Sequence, residues 1–284
     1  RQDVQAIESL YKANGFVYAR VYDITYPQET SGPLIFTIGE GVIQDITVSG
    51  NERTKSFVLL RELRLKPGDT LNQFILKENL RRIYNLNLFS EINPDIKANL
   101  IPGKYSIDLA VVEQPPSSFN LGGGFSAQSG LFLFSDLQTR NFLGRGQQLS
   151  LKSQIGDEIV NYELRFREPW MWAPRRSLTY GIWHRTGRLD VFSANTTRSF
   201  NNDQTSTGTD IGFGIPLTFH ALLYHTLKYE VVQLENNPED NYVIQSYSVQ
   251  LSHDTREIWF APRRGHHVLF RIEKAFSTRD TALS

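Results

Sequence analysis

The side chains able to do chemistry are few and badly arranged for it. Of the six histidines, His220 and His225 do not share one helical turn, and in a strand they point to opposite faces. His266 and His267 also point apart, and His253–Asp254 are sequence neighbours, which does not make a triad. No nucleophile-elbow pattern frames a serine. "GGGF" at 122–125 lacks the lysine and following helix of a phosphate loop, so its glycines are expected to thin and loosen a strand. "APRRG" at 261–265 reads as a turn with rim charges rather than a nucleic-acid patch. Cysteine is absent, which removes disulfides, thiolate metal sites and cysteine nucleophiles together. Thirty basic and 30 acidic residues cancel, so bulk charge gives nucleic acid no footprint. The expectation is a protein that is not an enzyme, with no catalytic, cofactor or metal site.

What the sequence does write clearly is alternation. In "HDTREIWFAPRRGHHVLFRIEKAF" (253–276), apolar Val268, Phe270 and Ile272 alternate with His267, Leu269 and Arg271 after a turn at Pro262 and Gly265. After "QPPSS" (114–118) helical periodicity disappears and about nine strand-like segments follow. Ile211, Phe213, Ile215, Leu217 and Phe219 form one apolar stripe; Lys152, Glu163, Arg165, Arg167, Lys228 and Glu230 belong to the opposite, polar faces. Several segments reach the length a tilted strand needs to cross a bilayer. Trp170, Trp172, Tyr180, Trp183, Trp259 and Phe260 fall near segment ends, where a barrel carries its aromatic girdles. Residues 187–208 read as one long polar loop. No run approaches a transmembrane helix and mean hydropathy is negative, but a membrane barrel shows lipid only every second residue. A soluble β-sandwich also alternates. Strand length, terminal aromatics and the charged second face favour the barrel.

The first 115 residues mix helix and strand. Val4, Ile7, Leu10 and Tyr11 share a helical face that stops at Asn14–Gly15, and two strand-like runs follow at 16–26 and 32–41. From residue 42 the order expected is β-α-α-β-β. Thr54 or Ser56 is placed to cap the first helix, and Phe57, Leu60, Phe74, Leu80, Ile83 and Phe89 are the expected core. No signal peptide is visible at the start.

The stretch "VIQDITVSGNERTKSFVLLRELRLKPGDTLNQFILKENLRRIYNLNLFSEI" resembles a POTRA (polypeptide-transport-associated) domain, and "IESLYKANGFVYARV…FTIGEG" resembles the back half of another. "GGGFSAQSGLFLFSDLQTRNFLGRGQQLSL" is similar to the opening strands of the bacterial outer-membrane assembly-factor barrels, BamA and its relatives, and Asp254, Pro262 and Gly265 resemble a later turn signature of theirs. The resemblance implies a partial POTRA domain at 1–41, a POTRA domain at 42–115 and the N-terminal part of an antiparallel outer-membrane β-barrel at 116–284. The first strand and helix of the leading POTRA, and the Val-Arg-Gly-Phe/Tyr loop of the barrel's second half, are not found. Lipid does not tolerate open sheet edges, so the expectation is a longer chain or a shortened family member.

The same resemblance implies an outer-membrane location, or the equivalent organelle membrane, with POTRA units in the periplasm. Its implied partners are unfolded β-barrel clients, periplasmic chaperones or accessory lipoproteins, and lipid. A strand at about 119–127, with Phe119, Leu121, Gly122, Gly123, Gly124 and Phe125, is the candidate lateral-gate edge. Asp95, Ile96, Lys97, Ala98 and Asn99 are the candidate POTRA edge for β-augmentation. A two-partner-type secretion transporter and a passive pore are the alternatives.

Overall fold

The computed structural model describes residues 2–26, 32–126, 130–172, 175–191, 200–218, 220–235, 241–258 and 261–279. The chain divides at Gln114–Pro115 into two compact units.

The first unit opens with α1 (Gln2–Ala13) and the antiparallel pair β1 (Arg20–Thr25) and β2 (Ile35–Gly39). It continues as β3 (Val42–Ser49), α2 (Ser56–Leu60), α3 (Gln73–Asn85), β4 (Phe89–Ala98) and β5 (Lys104–Glu113), the β-α-α-β-β order of a POTRA domain. β5 is central, parallel to β3 and antiparallel to β4. Its alternate residues Ile107, Leu109 and Val111 turn one face inward against Val58, Leu59, Leu76 and Ile83 of the helices. Gly50 ends β3 with φ +82, and a Cβ there would meet the Val111 carbonyl, so the loop needs glycine.

Two expectations fail here. α2 packs Val58 and Leu59 and leaves Phe57 and Leu60 outside; Phe74, in the first turn of α3, is 60% exposed. A five-residue helix has too few turns for periodicity to choose its inner face, and β5 made the choice. The N-cap of α2 is Lys55, with no side-chain cap bond, rather than Thr54 or Ser56.

The cap of α3 is better made. Asn72 Oδ1 accepts from the N–H groups of Phe74 (2.9 Å) and Ile75 (3.3 Å), while its Nδ2 donates to the Asn14 carbonyl at 2.9 Å. The Gln73 N–H donates to the Gly15 carbonyl at 2.8 Å, so the turn after α1 sits on the start of α3. Asn72→Ala is expected to cost about 1 kcal/mol in denaturant unfolding of residues 1–114. Asn72→Asp should recover the cap but not the bond to Asn14, leaving proteolysis between 14 and 32 accelerated.

The second unit is one sheet of nine strands, each paired antiparallel with its sequence neighbours. They are β6 (Ser117–Ser126), β7 (Gly130–Phe142), β8 (Gln147–Gly156), β9 (Val160–Glu168), β10 (Ser177–Val191), β11 (Phe200–Pro216), β12 (Ala221–Leu234), β13 (Tyr242–Asp254) and β14 (His267–Arg279). Every strand has at least nine residues, enough to cross a hydrocarbon core when tilted. No helix among the described residues is long and apolar enough to do so. The expected long loop at 187–208 is largely strand: β10 and β11 stay in register out to Val191 and Phe200.

Register sorts most side chains by polarity, with Lys274, opposite Tyr247 and over the Phe276 ring, a charged exception on the apolar face. Leu133, Leu151, Leu164, Ile182, Ile211, Phe213, Ile215, Leu227, Tyr247 and Ile272 share one face. Leu217 lies beyond the end of β11, and Phe219 lies outside the described residues. Lys152, Glu163, Arg165, Asp210, Lys228, Glu230 and Glu273 share the other face, and it is the better buried of the two at β10 to β13.

Candidate functional site

β6 lies at one margin of the nine-stranded sheet and pairs only with β7 among the described residues. Hydrogen bonds in an antiparallel ladder alternate sides. The Gly156 N–H donates to the Ile159 carbonyl, and the Arg140 N–H to the Pro116 carbonyl, which fixes that alternation across β6 to β9. The even residues of β6 therefore bond to β7, while the main-chain groups of Phe119, Leu121, Gly123 and Phe125 face the open margin. Their side chains lie on the apolar face, where Phe119, Leu121 and Phe125 are 64–78% exposed. Ala127, the far end of the candidate strand, is outside the described residues.

The glycines do more than loosen this strand. Gly122 and Gly124 stand directly opposite Phe134 and Phe132 on β7. A Cβ at Gly122 would come within 2.6 Å of the Phe134 ring, and one at Gly124 within 2.8 Å of the Phe132 ring. The two rings lie over the two glycines and supply the packing that those residues lack. Gly123 faces the other way, beside Leu133.

The second margin is β4. The Asn99 N–H donates to the Lys104 carbonyl at 2.9 Å, so the odd residues of β4 bond inward to β5. The open side then carries Pro94, Ile96 and Ala98, and Pro94 breaks no ladder bond because it has no N–H to give. Ile96 and Ala98 offer the free donors. Asp95 and Lys97 form an exposed ion pair at 2.9 Å, and Asn99 lies one residue past the strand, bonded to Gln44 and Ser106.

β5 ends in Glu113, whose carboxylate accepts from the Arg53 N–H (3.1 Å) and the Thr54 N–H (2.7 Å). Burial works to raise its pKa, but the hydrogen bonds from Thr54 and Arg53 outweigh burial and hold it below the usual carboxylate value. A depressed folded pKa contributes stability above the unfolded carboxylate range and loses it as pH falls through the folded value. Glu113→Gln should thus cost about 0.5–1.5 kcal/mol at neutral pH. The gap to the unmodified protein should close on acidification, as read by urea unfolding at stepped pH.

On the polar face a charged chain crosses three strands. Arg185 bonds Glu163 at 3.0 Å, Glu163 bonds Arg165 at 3.3 Å, and Arg165 grips Asp210 through both terminal nitrogens at 3.2 Å. Glu230 accepts from Trp183 Nε1, from Ser206 and from Lys228. Arg185 and Lys228 lie over the Trp183 ring, each at 5.5 Å. Trp183 was expected in an aromatic girdle. It is 6% exposed on the polar face, and Gly208 opposite leaves room for its ring. Tyr180 is on the apolar face; Trp170 and Trp172 follow β9, and Trp259 and Phe260 lie outside the described residues.

The turn signature is a structural closure. Asp254 ends β13 and holds Arg256 at 2.7 Å; the Thr255 N–H donates to the His266 carbonyl. A Cβ on Gly265, at φ +95, would strike the Thr255 carbonyl, so the turn needs glycine there; Pro262 lies between. No cluster of three metal-ligating side chains occurs among the described residues.

This combination, a β-α-α-β-β unit running directly into a two-faced meander of long strands, has known counterparts. The Omp85 superfamily domain matches residues 141–281, and the POTRA family, described as surface antigen variable number repeat, matches 42–114. The chain belongs to the Omp85 superfamily. Among curated relatives, a putative outer membrane protein assembly factor of Treponema pallidum is 30% identical over 179 residues, 60% of this chain and 21% of the relative. BamA of Neorickettsia risticii is 32% identical over 126 residues, 44% of this chain and 17% of the relative. The Omp85 chain in hand thus spans about a fifth of the length of these relatives. Among solved structures, Haemophilus ducreyi BamA lacking POTRA domains 1–3 has a TM-score of 0.64 at 18% identity, covering 96% of this chain and 56% of that one. CdiB from Escherichia coli has 0.63 at 16%, covering 95% and 52%. The Omp85 fold is shared by both, with nine strands of it present here.

Proposed function

We propose that this chain is the POTRA-and-first-strands portion of an outer-membrane β-barrel assembly factor. The protein is an outer-membrane protein, with its POTRA unit in the periplasm. The observation that carries the proposal is the β-α-α-β-β unit running directly into a two-faced sheet of long strands, in a chain similar to relatives named outer membrane protein assembly factors. In β6 the main-chain groups of Phe119, Leu121, Gly123 and Phe125 point away from β7, toward whichever strand comes alongside. An unpaired N–H or C=O costs several kcal/mol in hydrocarbon, so a client strand arriving beside β6 exchanges that cost for ladder bonds. No covalent step is needed, and the reading is of a non-enzymatic machine. The rings of Phe132 and Phe134 keep β6 joined to β7 while its other side pairs with a client.

The margin of β4 serves in the same way at lower affinity, by adding an extended client or accessory segment to the POTRA sheet. Unfolded barrel clients, periplasmic chaperones and accessory lipoproteins are the partners this implies. Secretion of an unfolded chain through a pore, as a two-partner transporter would do, uses the same fold. The relatives named assembly factors support insertion instead.

Ala98→Pro tests the β4 part. The substitution removes a donor from the open side and none from the β4–β5 ladder, so the POTRA unit should still fold. Client barrels in the outer membrane should fall while the protein's own level and conductance hold. Unchanged clients with altered conductance would instead support a passive pore.

A further inference from the structure

The apolar face over β10 to β13 is grooved rather than smooth. One groove of about 530 Å³ is lined by Tyr180, Ile211, Leu227, Tyr229, Tyr247 and Phe276. A second, of about 430 Å³, shares Ile211, Leu227 and Tyr247 with it and runs on past Phe213 and Leu178 to Met171 and Trp172. Met171 and Trp172 belong to the turn between β9 and β10, at the rim where the chain first enters the sheet. The groove therefore opens at that rim and ends near Tyr229. From Ala221 to Tyr229 a strand rises roughly 26 Å, or about 19 Å of depth at a tilt near 45°. That is slightly more than one leaflet's hydrocarbon, about 15 Å.

Thr209, Lys228, Gln245 and Ser246 also line the first groove; Lys228 pairs with Glu230, Ser246 donates to Glu273 and Thr209 to the Gly181 carbonyl. His225 Nδ1 and the Tyr247 hydroxyl are hydrogen-bonded to each other at 2.7 Å, with their rings stacked 6.0 Å apart. Such a pair needs no water.

The rims differ in charge. Among described residues, the turns at the rim of Trp172 carry Arg145, Arg175, Arg176, Arg256, Arg263 and Arg264 against Glu257. The described residues of the opposite turns carry Asp157, Glu158 and Glu235 and no basic residue; Arg198, between β10 and β11, lies outside the described residues. Arg175 and Arg176 stand at the mouth of the groove, since the Met171 N–H donates to the Arg176 carbonyl at 2.7 Å.

We propose that this groove is a binding site for an anionic phospholipid, with one acyl chain along Leu178, Phe213, Leu227 and Tyr247 and the phosphate at Arg175 and Arg176. Groove length matches one leaflet, and the basic mouth matches a headgroup at that depth. The inference rests on the apolar face meeting the bilayer, and not on any client being assembled. Its effect is to pin the back of the sheet, four strands away from β6, at a set height in the membrane.

The test uses the full-length protein reconstituted in phosphatidylcholine vesicles, titrated with brominated phosphatidylglycerol or brominated phosphatidylcholine. The signal is quenching of Trp172, taken as the difference between the protein and its Trp172→Phe variant. Brominated phosphatidylglycerol should quench Trp172 at a lower mole fraction, by about fivefold for each arginine engaged. Arg175→Gln with Arg176→Gln should remove that preference, while Arg263→Gln with Arg264→Gln should keep it. Equal quenching by both lipids, or loss of preference in both arginine pairs, would overturn the site and leave only general lipid contact. No quenching by either lipid, in protein that resists extraction, would overturn the bilayer-facing assignment as well.

Discussion

Replacing Leu227 by arginine is expected to cost about 2–4 kcal/mol of folding free energy in a bilayer, the penalty for a cation on a barrel's lipid face at mid-depth. Leu227 sits at the middle of β12, on the apolar face, between Ile211 of β11 and Tyr247 of β13. It is 58% exposed in the sheet, so the substitution removes little packing and tests the surroundings instead. Ile215→Arg makes the comparison. Ile215 lies one residue from the end of β11, where the arginine reaches the headgroups and the cost falls to about 0–1 kcal/mol. Urea titration of the full-length protein in vesicles reads both. Equal costs at the two positions would mean that depth does not matter, and the apolar face would not be facing lipid.

The other large effect is expected at the margin of β6. The chain has no cysteine, so a single one introduced at Gly123 is a unique probe. Gly123 presents its main chain to the open side and lies on the apolar face beside Leu133. In the full-length protein, a cysteine there should crosslink to an introduced cysteine in a client strand during assembly, and to the last barrel strand at rest. Locking the second crosslink should stop client assembly, and reduction should restore it. Gly122→Val provides a separate test of the ring packing. Its side chain would run into the Phe134 ring, loosening β6 from β7 and lowering assembly without any lock. Full client assembly with the seam locked would remove β6 from the mechanism.

Alternation alone determined a good deal. Once Leu227 and Tyr229 are apolar and Lys228 and Glu230 charged, strand pleating puts them on opposite faces of β12. The β-α-α-β-β order and the edge position of 95–98 were likewise readable from turns, caps and the family resemblance. Other features depended on register between distant strands, which one sequence does not contain. Trp183 carries no mark that separates a girdle aromatic from an interior one; pairing with Gly208 on one side and Glu163 on the other decided it. In the outer parts of β10 and β11, Leu189, Val191 and Phe200 stand among Arg188, Asp190 and the polar run 201–204, too short an apolar stripe to mark a strand, and the pairing of the two makes them one. The three glycines read as weakness because the rings covering two of them come from the neighbouring strand β7, eight and twelve residues away. The inner face of α2 was chosen by β5. In each case local physics was neutral between two outcomes, and the choice was made by whichever neighbour the fold brought alongside.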